Sequence, residues 1–247
     1  MEPETNIHLS VTIPAYNEAE RIGGSLQTVL SYLDSQPQKS EVIVVADGCH
    51  DGTATVCLRA AQGHSTPLRV LEHATSRGKG YSVRRGMLES RGTFVLFSDA
   101  DLSTPIEESA RLIAALQDGY DVAIASRWLP ASDVQVRQGA MRRSMGRVFN
   151  SAVRLTGLAG IHDSQCGFKC FRRDVARKIF QLQRIEGFSF DVEVLLIARK
   201  HSYRIAEIPV TWINDPRSKV RAIRDSGQMF VDLLRIRANA LRGAYDQ

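Results

Sequence analysis

Short apolar, β-branched runs alternate with segments of helical periodicity through the first half of this chain, and that alternation narrows the fold more than any other feature. His8–Pro14, Glu41–Val45, Leu68–Leu71, Thr93–Phe97 and Val122–Ala125 read as strands. The stretches from about Glu18 to Leu33, Asp51 to Ala61, Gly80 to Glu89 and Pro105 to Leu116 read as helices, with Pro105 in a first turn where its missing N–H costs nothing. Strand and helix in alternation predict an α/β fold, a mostly parallel central sheet with helices on both faces, in a single domain. The 247 residues, 43% hydrophobic and 24% charged, are enough for a substantial core.

After Arg127 the pattern changes. Residues 128–140 are polar, with Pro130 and Gly139, and read as a mobile loop. Met141–Leu155 reads as a helix, Phe168–Phe171 as a strand, Asp174–Phe180 and Val192–Lys200 as helices, and Ile205–Trp212 as a late strand. Asn214–Lys219 is a polar loop and Ile223–Leu241 a last helix.

The net charge of +5 and a pI near 9.2 point to an anionic partner. Nucleic acid is set aside, because the basic excess is local and no basic motif is interleaved with aromatics. Cys49, Cys57, Cys166 and Cys170 lack the paired spacing of a zinc site. No secretion-type apolar region precedes the first strand and no apolar stretch approaches the ~20 residues of a membrane span. The expectation is a cytoplasmic protein with reduced thiols, peripheral on the cytoplasmic face of a membrane if it meets one at all.

Five polar segments follow predicted strands. Ser98-Asp99-Ala100-Asp101 places two carboxylates at a strand end, hard oxygen ligands suited to Mg²⁺ or Mn²⁺, which in turn suit a diphosphate; the bland alternative is a solvated loop with a helix cap. Pro14-Ala15-Tyr16-Asn17-Glu18 offers a flat aromatic face and polar contacts, or a plain turn with Asn17 as N-cap. In Ala46-Asp47-Gly48-Cys49-His50-Asp51-Gly52-Thr53, Asp47 is suited to a base N–H, Asp51 to capping the next helix and His50 to the surface. An EF-hand is excluded there, since a strand precedes it and Leu58 stands where a bidentate Glu is needed. Arg77-Gly78-Lys79-Gly80 suits close approach to phosphates, or is a flexible basic loop. Ala125-Ser126-Arg127 brings an arginine toward Asp99 and Asp101, or forms a strand-end salt bridge. All five end strands at one edge of the sheet, where α/β proteins bind ligands.

The succession IPAYNE, VADGCHDGT, RGKG, SDADLSTP and ASR resembles the GT-A (Rossmann-like) fold of family 2 nucleotide-sugar glycosyltransferases. The blocks Asp163-Ser164-Gln165-Cys166-Gly167-Phe168-Lys169-Cys170-Phe171 and Gly187-Phe188-Ser189-Phe190-Asp191-Val192-Glu193 are similar to those of dolichyl- or polyprenyl-phosphate β-glucosyltransferases, as is Ile208-Pro209-Val210-Thr211-Trp212 through Ser218-Lys219-Val220. The likeness spans residues 8–237. The family's V-D-D-G-S is altered here, with Ala46 for the first aspartate and Cys49 for the serine.

The resemblance implies an inverting transfer of a hexose, glucose first, from a UDP-sugar to a polyprenyl or dolichyl phosphate, with Mg²⁺ or Mn²⁺. It divides the single domain into a nucleotide-sugar half, residues 1–127, and an acceptor half, residues 128–247. It implies donor contacts from Pro14, Ala15, Tyr16, Glu18, Asp47, Arg77, Lys79, Asp99 and Ala100, with metal ligation by Asp99 and Asp101. Catalytic roles fall to Asp101, Asp191 and Arg127, and acceptor contacts to Gln165, Arg217 and Lys219. A phosphate monoester, with a second pKa of about 6, is already a nucleophilic anion and needs cations; a hydroxyl acceptor needs a general base, for which Asp191 is favoured over Glu193. Glu193 otherwise reads as a solvent-facing helix residue. The alternatives are a family 2 transferase with a soluble acceptor or a GDP-mannose donor, and a nucleotide-sugar sensor that turns nothing over.

Residues 217–242 carry seven Lys or Arg against two Asp, an excess equal to that of the whole chain. Ile223, Phe230, Leu234 and Leu241 recur near helical spacing beside them. Such a segment suits an anionic membrane surface, or packs on the domain with its basic face in water.

Overall fold

A computed structural model describes residues 7–135, 153, 157–213 and 222–246, the side chains of 222–226 excepted. Nine strands are described: β1 (Leu9–Ala15), β2 (Ser40–Asp47), β3 (Leu68–His73), β4 (Phe94–Ser98), β5 (Val122–Ser126), β6 (Asp133–Val134), β7 (Phe168–Arg172), β8 (Ile205–Pro209) and β9 (Thr211–Trp212). The described helices are α1 (Ile22–Ser35), α2 (Thr53–Ala60), α3 (Lys79–Glu89), α4 (Ser109–Gln117, entered through a 3₁₀ turn at Ile106–Glu108), α5 (Arg173–Leu182), α6 (Phe190–Lys200) and α7 (Ala222–Leu241). The helix expected over Met141–Leu155 and the loop Asn214–Lys219, with Arg217 and Lys219, lie outside the described residues apart from Val153.

Seven strands form one sheet in the order β3-β2-β1-β4-β7-β5-β8. Six run parallel; β7 is antiparallel to both of its neighbours, β4 and β5. The late strand expected over Ile205–Trp212 breaks at Val210, and β9 pairs with β6 in a separate two-stranded ribbon. β7 belongs to the second half of the chain yet sits inside the sheet of the first, so the sheet is continuous across residue 127. The order doubles back at β1 and β4, and the crevice beyond their carboxyl ends is the switch point where open α/β sheets bind ligands.

Side-chain alternation divides the core between the two faces. Val11, Ile13, Val42, Val44 and Leu96 pack beneath α1, α2 and α4, with Leu26, Leu30 and Leu112. Val95, Phe97, Val122, Ile124 and Phe171 pack on the other side against α3, α5, α6 and α7. Phe97, Phe171, Phe180 and Phe190 form a buried aromatic chain there, with centroids 5.4–6.4 Å apart. Burying each such ring contributes about 1.5–3 kcal/mol.

The underside of β1 is polar where α3 crosses it. Ser10 Oγ donates to Glu41 Oε1 (2.7 Å) and accepts from Gly92 N (2.8 Å). Thr12 lies directly under Gly86, where a Cβ would collide with the threonine side chain. Gly86→Ala is therefore expected to destabilise the protein, since overpacking costs about 1–3 kcal/mol and the better helix propensity of alanine returns only about 1. A lower urea midpoint checks this, with Thr12→Ser restoring part of the loss in the double variant.

Candidate active site

Four loops meet beyond the carboxyl ends of β1, β2, β3 and β4. Those after β1 and β2 are stitched together. Asn17 adopts a left-handed backbone (φ 51°), and its Oδ1 accepts from His50 N (2.8 Å) while its own N–H points to Cys49 Sγ (3.3 Å). Glu18 N donates to Thr53 Oγ1 (2.9 Å) and Ala19 N to Asp51 Oδ2 (3.0 Å). Asn17 is thus a cross-loop brace and not the N-cap of α1, which begins at Ile22. Asp51 does accept from Thr53 N at the start of α2 (3.1 Å). Pro14 is half-buried and Ala15 lies in the core; Tyr16 stands 49% exposed on the rim, and Glu18 is buried in a two-pronged pair with Arg21. Arg21 reaches on toward Asp101 Oδ2 (3.9 Å), so it links the first loop to the fourth.

Asp47 is engaged by the basic loop. Its carboxylate accepts from Arg77 N (3.0 Å), Gly78 N (2.8 Å) and Ser76 Oγ (2.9 Å), with His73 Nδ1 at 3.2 Å, and it is almost wholly buried. The acid expected to meet a base fixes the basic loop from beneath. Gly78 takes a positive φ (114°), which glycine adopts without penalty, and Gly80 lets Ile185 O approach where a Cβ would stand at 2.6 Å. The loop then delivers its two cations differently. Arg77 turns outward, over the Tyr81 ring (3.7 Å) and to Glu186 (2.5 Å). Lys79 turns inward, to Asp99 Oδ1 (2.6 Å).

Asp99 and Asp101 occupy the centre. Asp99 is partly exposed, and the close approach of Gly167 shapes its surroundings: a Cβ there would collide with the Asp99 carboxylate, and Asp99 N donates to Gly167 O (3.1 Å). Asp101 accepts from Ser103 N (3.0 Å). Burial, then repulsion from Asp99, pushes the Asp101 carboxyl above its ordinary range. Burial alone pulls Lys79 down, but the Asp99 and Asp191 charges outweigh it and hold its ammonium charged. Ala100 turns away from this edge into the core.

Arg127 is engaged by a neighbouring acid. Its guanidinium forks onto Asp163, with Nε–Oδ2 at 2.7 Å and Nη2–Oδ1 at 2.8 Å, and its backbone N donates to the same acid. The strand-end salt bridge is what forms, backed by the Trp212 face at 5.4 Å, because Asp163 is fully buried and needs a partner. Burial raises the pKa of Asp163, but Arg127 outweighs it and holds the carboxyl below its usual range. Asp191 is buried too, ion-paired with Lys169, whose Nζ also donates to Cys166 O (2.6 Å). Burial pushes Asp191 upward, with Lys169 and Lys79 opposing.

Glu193 faces neither solvent nor the crevice. It accepts from Arg184 N (3.0 Å), Ile185 N (2.8 Å) and the Tyr245 hydroxyl (2.6 Å), tying the loop before α6 to the chain's C-terminal residues. Gln165 is half-buried, with a buried Nε2 that has no hydrogen-bond partner among the described residues. Arg217 and Lys219 lie outside the described residues. The structure adds Arg21, Gly167 and Lys169 to the residues singled out from sequence. Gly167 and Lys169 stood in the Asp163–Phe171 block that carries the resemblance, without a role assigned to them, and Arg21 carried only its i+3 spacing from Glu18.

A mostly parallel sheet with one inserted antiparallel strand, and a strand-end pair of carboxylates facing basic loops at its switch point, is the GT-A architecture of glycosyltransferases. The family model described as glycosyl transferase family 2 matches residues 10–180, and the chain belongs to that family. It is 35% identical to a dolichyl-phosphate β-glucosyltransferase of Dictyostelium discoideum, over 98% of this chain and 78% of that protein. It is 36% identical to the enzyme of the same name from Drosophila melanogaster, over 99% and 79%. Among solved structures it shares its fold with the glucosyl-3-phosphoglycerate synthase of Mycobacterium tuberculosis in complex with Mn²⁺, uridine diphosphate and glucosyl-3-phosphoglycerate. There the TM-score is 0.68 and the identity 18%, over 94% of this chain and 80% of that one.

The raised pKa of Asp101 makes a prediction. A carboxyl whose pKa is raised by folding contributes stability that is full at acid pH and lost as pH rises through the raised value. Asp101→Asn is therefore expected to raise the melting temperature of the ligand-free protein near pH 7, by an amount that shrinks as the pH falls toward about 3, below the ordinary aspartate range, where both folded and unfolded Asp101 are protonated. Thermal unfolding at the two pH values checks the sign.

Proposed function

We propose that this enzyme moves glucose from a UDP-sugar to a polyprenyl phosphate, with inversion at the anomeric carbon. The observation that carries the proposal is the grouping of Asp99, Asp101, Lys79 and Arg21 at the switch point. The names of the relatives and the ligands of the mycobacterial synthase support it. Asp99 and Asp101 would hold the divalent cation. Their donor set fits one: both supply hard oxygens from one strand end, and the Asp99 charge disfavours that of Asp101 in the absence of a cation. When bound, such an ion supplies Lewis-acid stabilisation of the departing diphosphate. Lys79 and Arg21 carry further positive charge to the same place. Tyr16, on the rim, is the flat surface offered to the nucleoside base.

The transfer forms a bond from an acceptor phosphate oxygen to C1 of the sugar while the bond from C1 to the diphosphate oxygen breaks, releasing UDP. A phosphate oxygen needs no base. That agrees with the contacts of Asp191, whose carboxylate is held by Lys169 in a buried pair. Arg217 and Lys219 are the proposed phosphate ligands, with Gln165 Nε2 a further donor. A hydroxyl acceptor, as in a transferase with a soluble acceptor, would need Asp191 free.

The test is a matrix of UDP-glucose and GDP-mannose against an isoprenyl phosphate and soluble hydroxyl acceptors, with and without Mn²⁺. Turnover is expected with UDP-glucose, the isoprenyl phosphate and metal. Asp101→Ala is expected to lose at least about 100-fold in kcat. Asp191→Asn is expected to stay within about tenfold on the phosphate acceptor, because a general base is worth 10²–10⁴ and none is needed. A larger loss there would return the base role to Asp191. Binding of UDP-glucose without turnover would make the chain a sensor.

A further inference from the structure

The segment 183–187, just before α6, lies directly behind the loop that carries Lys79. Tyr81 N donates to Glu186 O (3.2 Å), and Gln183 Nε2 donates to both Gly80 O (2.9 Å) and Ile185 O (2.8 Å). Gly78 and Gly80 come so close that a Cβ would stand 2.5 Å from Glu186 O at the first and 2.6 Å from Ile185 O at the second. The Phe190 ring, at the start of α6, lies 5.9 Å from Lys79 Nζ. The segment is itself held from its far side. The Glu193 carboxylate accepts from Arg184 N, Ile185 N and the Tyr245 hydroxyl. Tyr245 is fully buried; Asn239 Nδ2 donates to its hydroxyl (3.3 Å), and its carbonyl meets the His201 ring (2.8 Å).

We propose that Glu193 and Tyr245 form a strut that positions Lys79 for the donor diphosphate, although neither faces the crevice. A carboxylate buried this far is costly unless donors saturate it, and an apolar side chain would fill the same space at lower cost. What Glu193 supplies beyond filling is direction. It fixes two consecutive N–H groups, at 184 and 185, and the carbonyls that touch Gly78, Gly80 and Tyr81 follow immediately, at 185 and 186. Asp47 pins the front of the same loop, at 76–78. The strut pins its back, at 78–81. Lys79 is a point charge on a flexible stem, so the backbone that bears it decides where the ammonium can reach. Glu193 and Tyr245 are positioning residues that act through Lys79, and the inference rests on the proposed use of Lys79 at the diphosphate.

The experiment is a double-mutant cycle of Tyr245→Phe and Lys79→Met, read by calorimetric titration of the whole chain with UDP and Mn²⁺, with melting temperatures measured in parallel. Lys79→Met alone is expected to weaken UDP binding about tenfold or more. Tyr245→Phe keeps the buried ring and removes the hydroxyl. It is expected to weaken UDP binding about fivefold when Lys79 is present, and less than about twofold when Lys79 is already methionine. Glu193→Gln is expected to show the same loss and the same dependence on Lys79. Leu33→Ala, a core truncation in the last turn of α1 at the opposite edge of the sheet, is expected to lower the melting temperature and leave UDP affinity unchanged. A lower melting temperature for Tyr245→Phe with wild-type UDP affinity would reduce the strut to packing and overturn the proposal. So would a loss that persists in full in the Lys79→Met background, or an affinity indifferent to Lys79→Met. UDP binding that follows the cycle, with no glucosyl transfer to any acceptor, leaves the strut standing and overturns the transfer reading instead.

Discussion

Two carboxylates at the end of one strand repel each other, and much of the surrounding architecture answers that repulsion. Asp99 and Asp101 follow β4 at the point where the strand order doubles back, which sets both at the mouth of the crevice. Lys79 and Arg21 approach from two other loops and supply compensating charge. The Lys79–Asp99 pair is partly solvated, and such pairs contribute only about 0.2–1 kcal/mol. It is weak enough to yield to a doubly charged ion, which would meet both acids at once.

The remaining acids near the site do a different job, and burial distinguishes them. Asp47, Asp163 and Glu193 are each saturated by protein donors, and each fixes a loop: the basic turn at 76–78, the Arg127 corner and the segment at 184–185. A buried carboxylate without such partners would be costly, so their engagement is a condition of the fold. Asp191 sits between the two groups. It lies next to the crevice, but Lys169 claims it, which favours an acceptor that arrives already ionised.

The sheet was largely legible because strand and helix periods differ, and each predicted strand through Ala125 falls within one or two residues of an observed one at most ends. The reversed β7 was not, since a buried run such as Phe168–Phe171 reads alike in either direction. The edge that carries the site was legible for the same reason as the strands. What each charged group would hold was not. Asp47 meets residues about 30 positions away, Arg127 meets an acid 36 away and Glu193 meets a tyrosine 52 away. Such pairings are set by the tertiary fold, and local spacing carries no trace of them. Asn17 shows the limit at short range: its composition suits a cap, but its left-handed backbone turns the side chain to His50 instead.

A crystal structure with UDP and Mn²⁺ tests the central claim most directly. The account predicts one ion on Asp99 and Asp101 oxygens, at about 2.0–2.2 Å, between these acids and the diphosphate, with Lys79 displaced from Asp99 toward the phosphates. A diphosphate bound with no ion between it and these acids, and Lys79 still paired to Asp99, would contradict it.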